Sequence, residues 1–188
     1  MKKRILSLLL ALVMAVSLLP MSTLAQSAGA GDARPLESGA AEPASVTVSF
    51  TAQAEGAFLF APQLDVPVSG GLAETYGYTD AVEGGVSALD VLVKAHEVRY
   101  GSAFTAETAG DYLAVGETGF LTKLFGVTTG SCGFTVNGSV PHNDVLADDS
   151  YAPGGKSYTG YAITQAQAEE GDLLEFFLYQ DSYALDNY

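Results

Sequence analysis

The chain has 188 residues, one cysteine, no tryptophan and a formal net charge of −14 at pH 7, from 22 acidic against 8 basic side chains. That balance argues against nucleic acid or an anionic membrane surface as partner, since each phosphate contact needs a cation. With Cys132 as the single cysteine there is no internal disulfide, so the fold must rest on an apolar core, which a domain of this size can supply.

Lys2-Lys3-Arg4 precedes an apolar run over residues 5–19, which ends before Pro20 and leads into small residues around Ala25. This is the form of a secretory signal, and residues 1–25 are read as one, giving a secreted or cell-surface protein. The run falls short of the ~20 residues a membrane helix wants. No second such run exists, so no membrane span is expected after signal removal, and no cysteine near the cleavage region indicates a lipid anchor. Residues 26–45, nearly all Ala, Gly, Ser, Pro and acids, cannot bury enough surface to order themselves and form a flexible linker. Residues 46–188 are then one domain.

Val46, Val48 and Phe50 alternate onto one face, the mark of a first strand. Phe58-Leu59-Phe60 and Leu64 to Val68 are further extended segments, the second placed at a sheet edge by Pro67, which has no N–H to give to a ladder. Ser87 and Asp90 form a capping-box pattern that opens a helix with Leu89, Leu92, Val93 and His96 on one face. His96 reads as a partly buried packing residue. Phe120 to Phe125, a glycine-bounded turn over residues 126–130 and Gly133 to Val136 read as a β-hairpin. Asn137-Gly138 is a strong turn signal after it. Leu173 to Gln180 is the strongest strand, with Leu174, Phe176 and Leu178 on one face and Leu173, Glu175, Phe177 and Tyr179 on the other. These three strands are expected at the heart of the sheet. The long connection over residues 139–171 carries Tyr151, Tyr158 and Tyr161 and is the expected place for a binding surface.

Three stretches in this order carry a resemblance: Val86-Ser87-Ala88-Leu89-Asp90-Val91-Leu92, Phe134-Thr135-Val136-Asn137-Gly138, and Glu170-Gly171-Asp172-Leu173-Leu174-Glu175-Phe176-Phe177. Over roughly residues 46–181 the chain resembles the bacterial family called domain of unknown function 4430, related to the C-terminal domain of transcobalamin and intrinsic factor. The resemblance implies a β-grasp-like α+β fold on exported or surface proteins. Its sheet, mixed or antiparallel with about four to five strands, packs against one main helix. No family activity or catalytic residue carries over. In the vertebrate relatives this domain covers one side of a bound cobalamin. Here the helical domain completing that site is absent, and Ser131-Cys132-Gly133 stands where many members carry aromatics. The chain is therefore read without a cofactor, with cobalamin a minor alternative.

Catalytic signatures are missing: there is no Gly-x-Ser-x-Gly, P-loop, His-Glu-x-x-His or Cys-x-x-Cys. His142, Asp144, Asp148 and Asp149 offer ligand atoms at a spacing that matches no metal motif, and read as a solvated acidic loop. Asn137-Gly138-Ser139 is formally a glycosylation sequon, although the Asn-Gly turn explains those residues without a sugar. Tyrosine favours interfaces, so Tyr151, Tyr158, Tyr161, Phe177 and Tyr179 are the candidate ligand-binding residues. The expected function is a non-catalytic binding or interaction module for an unknown extracellular ligand, glycan or protein. The alternatives are a structural envelope module and a small carboxylate-dependent hydrolase.

Overall fold

Alternation of apolar and polar residues builds most of this molecule, an α+β arrangement of many strands in several small sheets with few helices. A computed structural model describes residues 43–128, 131–148 and 155–179, without the side chains of Ser131, Ala147 and Tyr179. The signal segment, the linker up to residue 42, Asp149, Tyr151 and the chain beyond Tyr179 lie outside the described residues.

The strands in chain order are β1 (Ser45–Ala54), β2 (Ala57–Phe58), β3 (Gln63–Ser69), β4 (Val86–Ser87), β5 (Ala114–Val115), β6 (Leu121–Leu124), β7 (Val127–Thr128), β8 (Ser131–Val136), β9 (His142–Asp148), β10 (Lys156–Gly160), β11 (Gln167–Ala168) and β12 (Leu173–Tyr179). β1 and β12 run parallel at the centre of a five-stranded sheet, in register from Ser49 opposite Leu173 to Ala54 opposite Leu178. β8 pairs antiparallel with the other side of β12. β2 and β3 both pair antiparallel with β1. β3 carries Pro67 and pairs with β1 alone among the described strands, so the missing N–H breaks no second ladder.

One face of this sheet, with Phe50, Ala52, Leu174, Phe176, Leu178 and Phe134, is buried with the helix Ala88–Tyr100 in a single core. Each of the Phe and Leu side chains among them contributes about 1.5–3 kcal/mol when fully buried. The helix starts where the capping box sets it. Ser87 Oγ accepts from Asp90 N at 3.0 Å, and Asp90 Oδ2 accepts from Ser87 N at 3.0 Å. Asp90 is fully buried, and its other oxygen accepts from Ala73 N at 2.8 Å, which ties the helical turn Leu72–Thr75 to the helix start. Burial is not confined to the expected stripe: Val91 and Ala95 are fully buried too. Phe104, Ala109, Leu113 and Leu124, from the segment after the helix, belong to the same core.

Two elements differ from the sequence reading. Leu121–Leu124 does not pair with β8; it forms a three-stranded sheet with β5 and β7. The turn comes early because Phe125 (φ 50°) and Gly126 (φ 79°) both take left-handed backbone, folding Leu124 onto Val127. Phe125 is an unusual residue for that conformation. Its N–H donates to His96 Nε2 at 3.2 Å, and its ring stacks on the His96 ring at 4.4 Å and 11°. The connection over residues 139–171 also has regular structure: β9 and β10 form a two-stranded hairpin. Among the described residues no helix is long and apolar enough to cross a membrane.

Candidate functional site

The described side chains of the expected binding residues do not form one patch. Tyr161 and Phe177 border a shared groove of about 360 Å³, along with Phe120, Leu121, Cys132 and Val140. Tyr158 lies on β10, where its half-exposed ring stacks on His142 at 4.4 Å and 6°. Tyr179 places its backbone opposite Ser131 in the β8–β12 ladder, its side chain being outside the description. Tyr151 lies outside the described residues altogether.

The groove follows from sheet register. Gly133 sits opposite Phe177, and a Cβ at Gly133 would lie 2.7 Å from Phe177 Cζ. Glycine therefore lets the ring lie flat on the strand, making an apolar floor. Phe134 and Cys132 border the groove from the strand itself, and Cys132 Sγ donates to Leu121 O at 3.5 Å, which holds the start of β6 beside it. The far side is residues 159–163, anchored where Tyr161 N–H donates to Pro141 O at 2.9 Å. Two large apolar side chains on the rim are open to solvent, Phe120 at 61% and Val140 at 60%. Sequence reasoning missed Phe120, Val140 and Cys132 as parts of a site, because strand alternation does not reveal which loops return beside an edge.

Most of the strongly shifted ionisable groups are engaged elsewhere in packing. Burial pushes His96 down to about 4, against hydrogen bonds to backbone that favour its charged form. Its Nδ1 faces Leu92 O at 2.8 Å and its Nε2 accepts from Phe125, so the neutral ring uses both nitrogens. Burial raises Asp90 although Ala73 and Ser87 donate to it, with nearby Asp80 adding to the rise. Asp80 in turn accepts a hydrogen bond from Ser87 Oγ. Tyr76 is pushed up to about 12 by burial and then by Glu97, to which its hydroxyl donates at 2.8 Å. Tyr78 reaches about 12 through burial, and its hydroxyl donates to Leu113 O at 2.9 Å. Cys132 alone among the shifted groups borders the groove, and burial raises its thiol, which disfavours the nucleophilic thiolate. His96, with both nitrogens committed, is not available to activate it.

Among the described residues, the acidic hairpin gathers no metal-binding set of three or more His, Cys, Asp or Glu side chains. His142 Nδ1 lies 2.9 Å from Asn143 O and 4.0 Å from Asp144 Oδ1. A second, more polar cavity of about 810 Å³ is bordered by Tyr78, Thr79, Glu117, Thr118, Thr164 and Gln165. In the sequon, Asn137 Nδ2 donates to Asp172 Oδ1 at 2.8 Å, so the nitrogen a sugar would need is already bonded.

Compared with protein-family models, curated proteins and solved structures, the chain matches none.

Proposed function

We propose that the chain is a non-catalytic, exported binding module, β-grasp-like and of the transcobalamin C-terminal type, whose ligand seats in the groove beside β8. One observation carries this reading: Tyr161 and Phe177 meet there with the exposed Phe120 and Val140 around an apolar floor. The volume suits a few side chains or one aromatic group, at the small end of ligand sites. A mixed sheet packed against a 13-residue helix supports the β-grasp-like part of the reading. So does the contact between the Asn137-Gly138 and Gly171-Asp172 motifs, which the family pattern only sets in order. The non-catalytic part is supported by His96 and Asp90, whose polar atoms are spent on the fold.

The test is a thermal-shift screen of the full chain with corrinoids, glycans, short peptides and Ca²⁺, repeated on Val140→Asp. A ligand of the native state raises the melting temperature by mass action. The reading predicts a shift that Val140→Asp removes while the melting temperature without ligand stays unchanged. A shift retained in that variant places binding elsewhere and overturns the reading.

A further inference from the structure

β8 ends its side of the main sheet. β12 pairs with one edge of it, and no strand among the described residues pairs with the other. The phase of the ladder is fixed by Asn137 N–H, which donates to Leu173 O at 2.8 Å. Backbone groups alternate in direction along an antiparallel pair, so Ser131, Gly133 and Thr135 turn theirs toward β12 while Cys132, Phe134 and Val136 turn theirs outward. Val136 closes on Ser139, its N–H donating to Ser139 O at 2.9 Å and its carbonyl accepting from Ser139 N at 3.1 Å. Cys132 and Phe134 point their N–H and C=O groups toward an edge to which no described strand is paired.

That edge is the groove. Cys132 and Phe134 belong to the helix-facing side of the sheet, while Gly133 and Phe177 belong to the other. All four border the same groove, so it runs along the edge of the strand rather than over either face.

We infer that the groove receives an extended segment of another polypeptide, which adds to β8 as a further strand. This rests on the groove reading above and names its ligand class. A small apolar molecule would fill the walls and leave the outward amides of Cys132 and Phe134 without partners, whereas a strand completes them. Alternate side chains of such a strand then fall every second residue against Phe120, Val140 and Tyr161. The net charge of −14 selects the partner: two copies of this chain repel, while a segment with basic residues at its ends is attracted.

The experiment uses the full chain and a short synthetic peptide of alternating valine and threonine with lysine at each end. Its companions are the same peptide N-methylated on the amides facing β8, and a version with glutamate at both ends. Fluorescence anisotropy reads binding, and amide hydrogen exchange reads the edge. The lysine-ended peptide should bind saturably and slow exchange at Cys132 and Phe134. N-methylation should weaken it about tenfold for each hydrogen bond lost, the upper end for one such bond. The glutamate-ended version should bind more weakly, and more so at low salt. Binding that ignores N-methylation, or leaves both amides unprotected, overturns strand addition while the groove reading stands. Protection that appears without peptide and grows with protein concentration makes a second copy the occupant and equally overturns the inference. If a small apolar ligand shifts the melting temperature in a Val140→Asp-sensitive way and no peptide binds, only the strand proposal fails. If neither binds, both readings fall together.

Discussion

Asn137 and Asp172 are joined side chain to side chain across the end of the β8–β12 pair, Nδ2 to Oδ1 at 2.8 Å. Asn137 Oδ1 also accepts from Leu173 N at 2.9 Å, taking the place a backbone carbonyl would hold, and Asp172 Oδ2 accepts from Glu169 N at 2.8 Å. Asn137 holds φ at 53° and Gly138 at 74°, so one residue both makes the turn and locks it to the next strand.

Substitution separates those two roles. Asn137→Gly keeps the backbone preference and loses the side-chain bonds, and should cost about 1 kcal/mol of stability. Asn137→Ala loses the same bonds and adds left-handed strain, so it should cost about 1 kcal/mol more. Urea unfolding of the two variants checks this, and equal stabilities would show that the turn conformation carries no strain.

Gly133 is required by the ring it faces. Gly133→Ala places a methyl within 2.7 Å of Phe177 Cζ, so the ring must move. A loss of about 1–3 kcal/mol is expected, as for other overpacked sites. Phe177→Leu in the same chain should recover part of it, and the double-mutant cycle should be non-additive. Additive costs in unfolding experiments would mean that the two residues do not share the groove floor.

Thr51 is nearly buried in β1, opposite Glu175, and its hydroxyl finds no hydrogen-bond partner. Glu175 accepts instead from Thr135 at 2.9 Å on its other side. Replacing a buried, unpaired hydroxyl by a methyl of the same shape removes a desolvation cost, so Thr51→Val should stabilise the fold by about 1 kcal/mol. A lower denaturation midpoint in Thr51→Val would contradict this.

The central strands were legible because β1 and β12 carry clean period-two patterns, and the helix because Ser87 and Asp90 cap it. Leu121–Leu124 was assigned to the wrong partner for a physical reason. Its turn depends on Phe125 adopting left-handed backbone, and what holds it there is a buried His96 ring distant in sequence. No local turn residue announces that. His142–Asp148 has polar residues at uneven spacing and, among the described residues, pairs only with β10, so its pattern was too weak to read as a strand. Tyr161 and Phe177 were found from residue type alone. Phe120 and Val140 were missed because nothing local shows which loop returns beside β8.

His96 makes stability depend on pH. Burial lowers its folded value to about 4 from an ordinary 6.5, so between those values the unfolded chain holds more protons at this residue. Stability from this residue is complete above about pH 6.5 and is lost as pH falls toward 4, a total on the order of 3 kcal/mol. The neighbouring Tyr100 ring, 6.0 Å away, titrates far above this window and does not contribute. His96→Gln should flatten the stability profile between pH 4 and 6.5 in chemical denaturation. A profile unchanged by the substitution would assign the slope to other groups.

Cys132 offers the most direct test of the groove, because it is the single thiol of the chain and borders that site. The measurement is the alkylation rate of Cys132 by a small maleimide, with and without a ligand found by thermal shift or the lysine-ended peptide. Occupancy of the groove predicts labelling slowed in proportion to the unliganded fraction, by about tenfold at a ligand concentration about ten times Kd, and normal labelling in Val140→Asp. Tight binding with an unchanged Cys132 rate would put the ligand somewhere else and contradict the account.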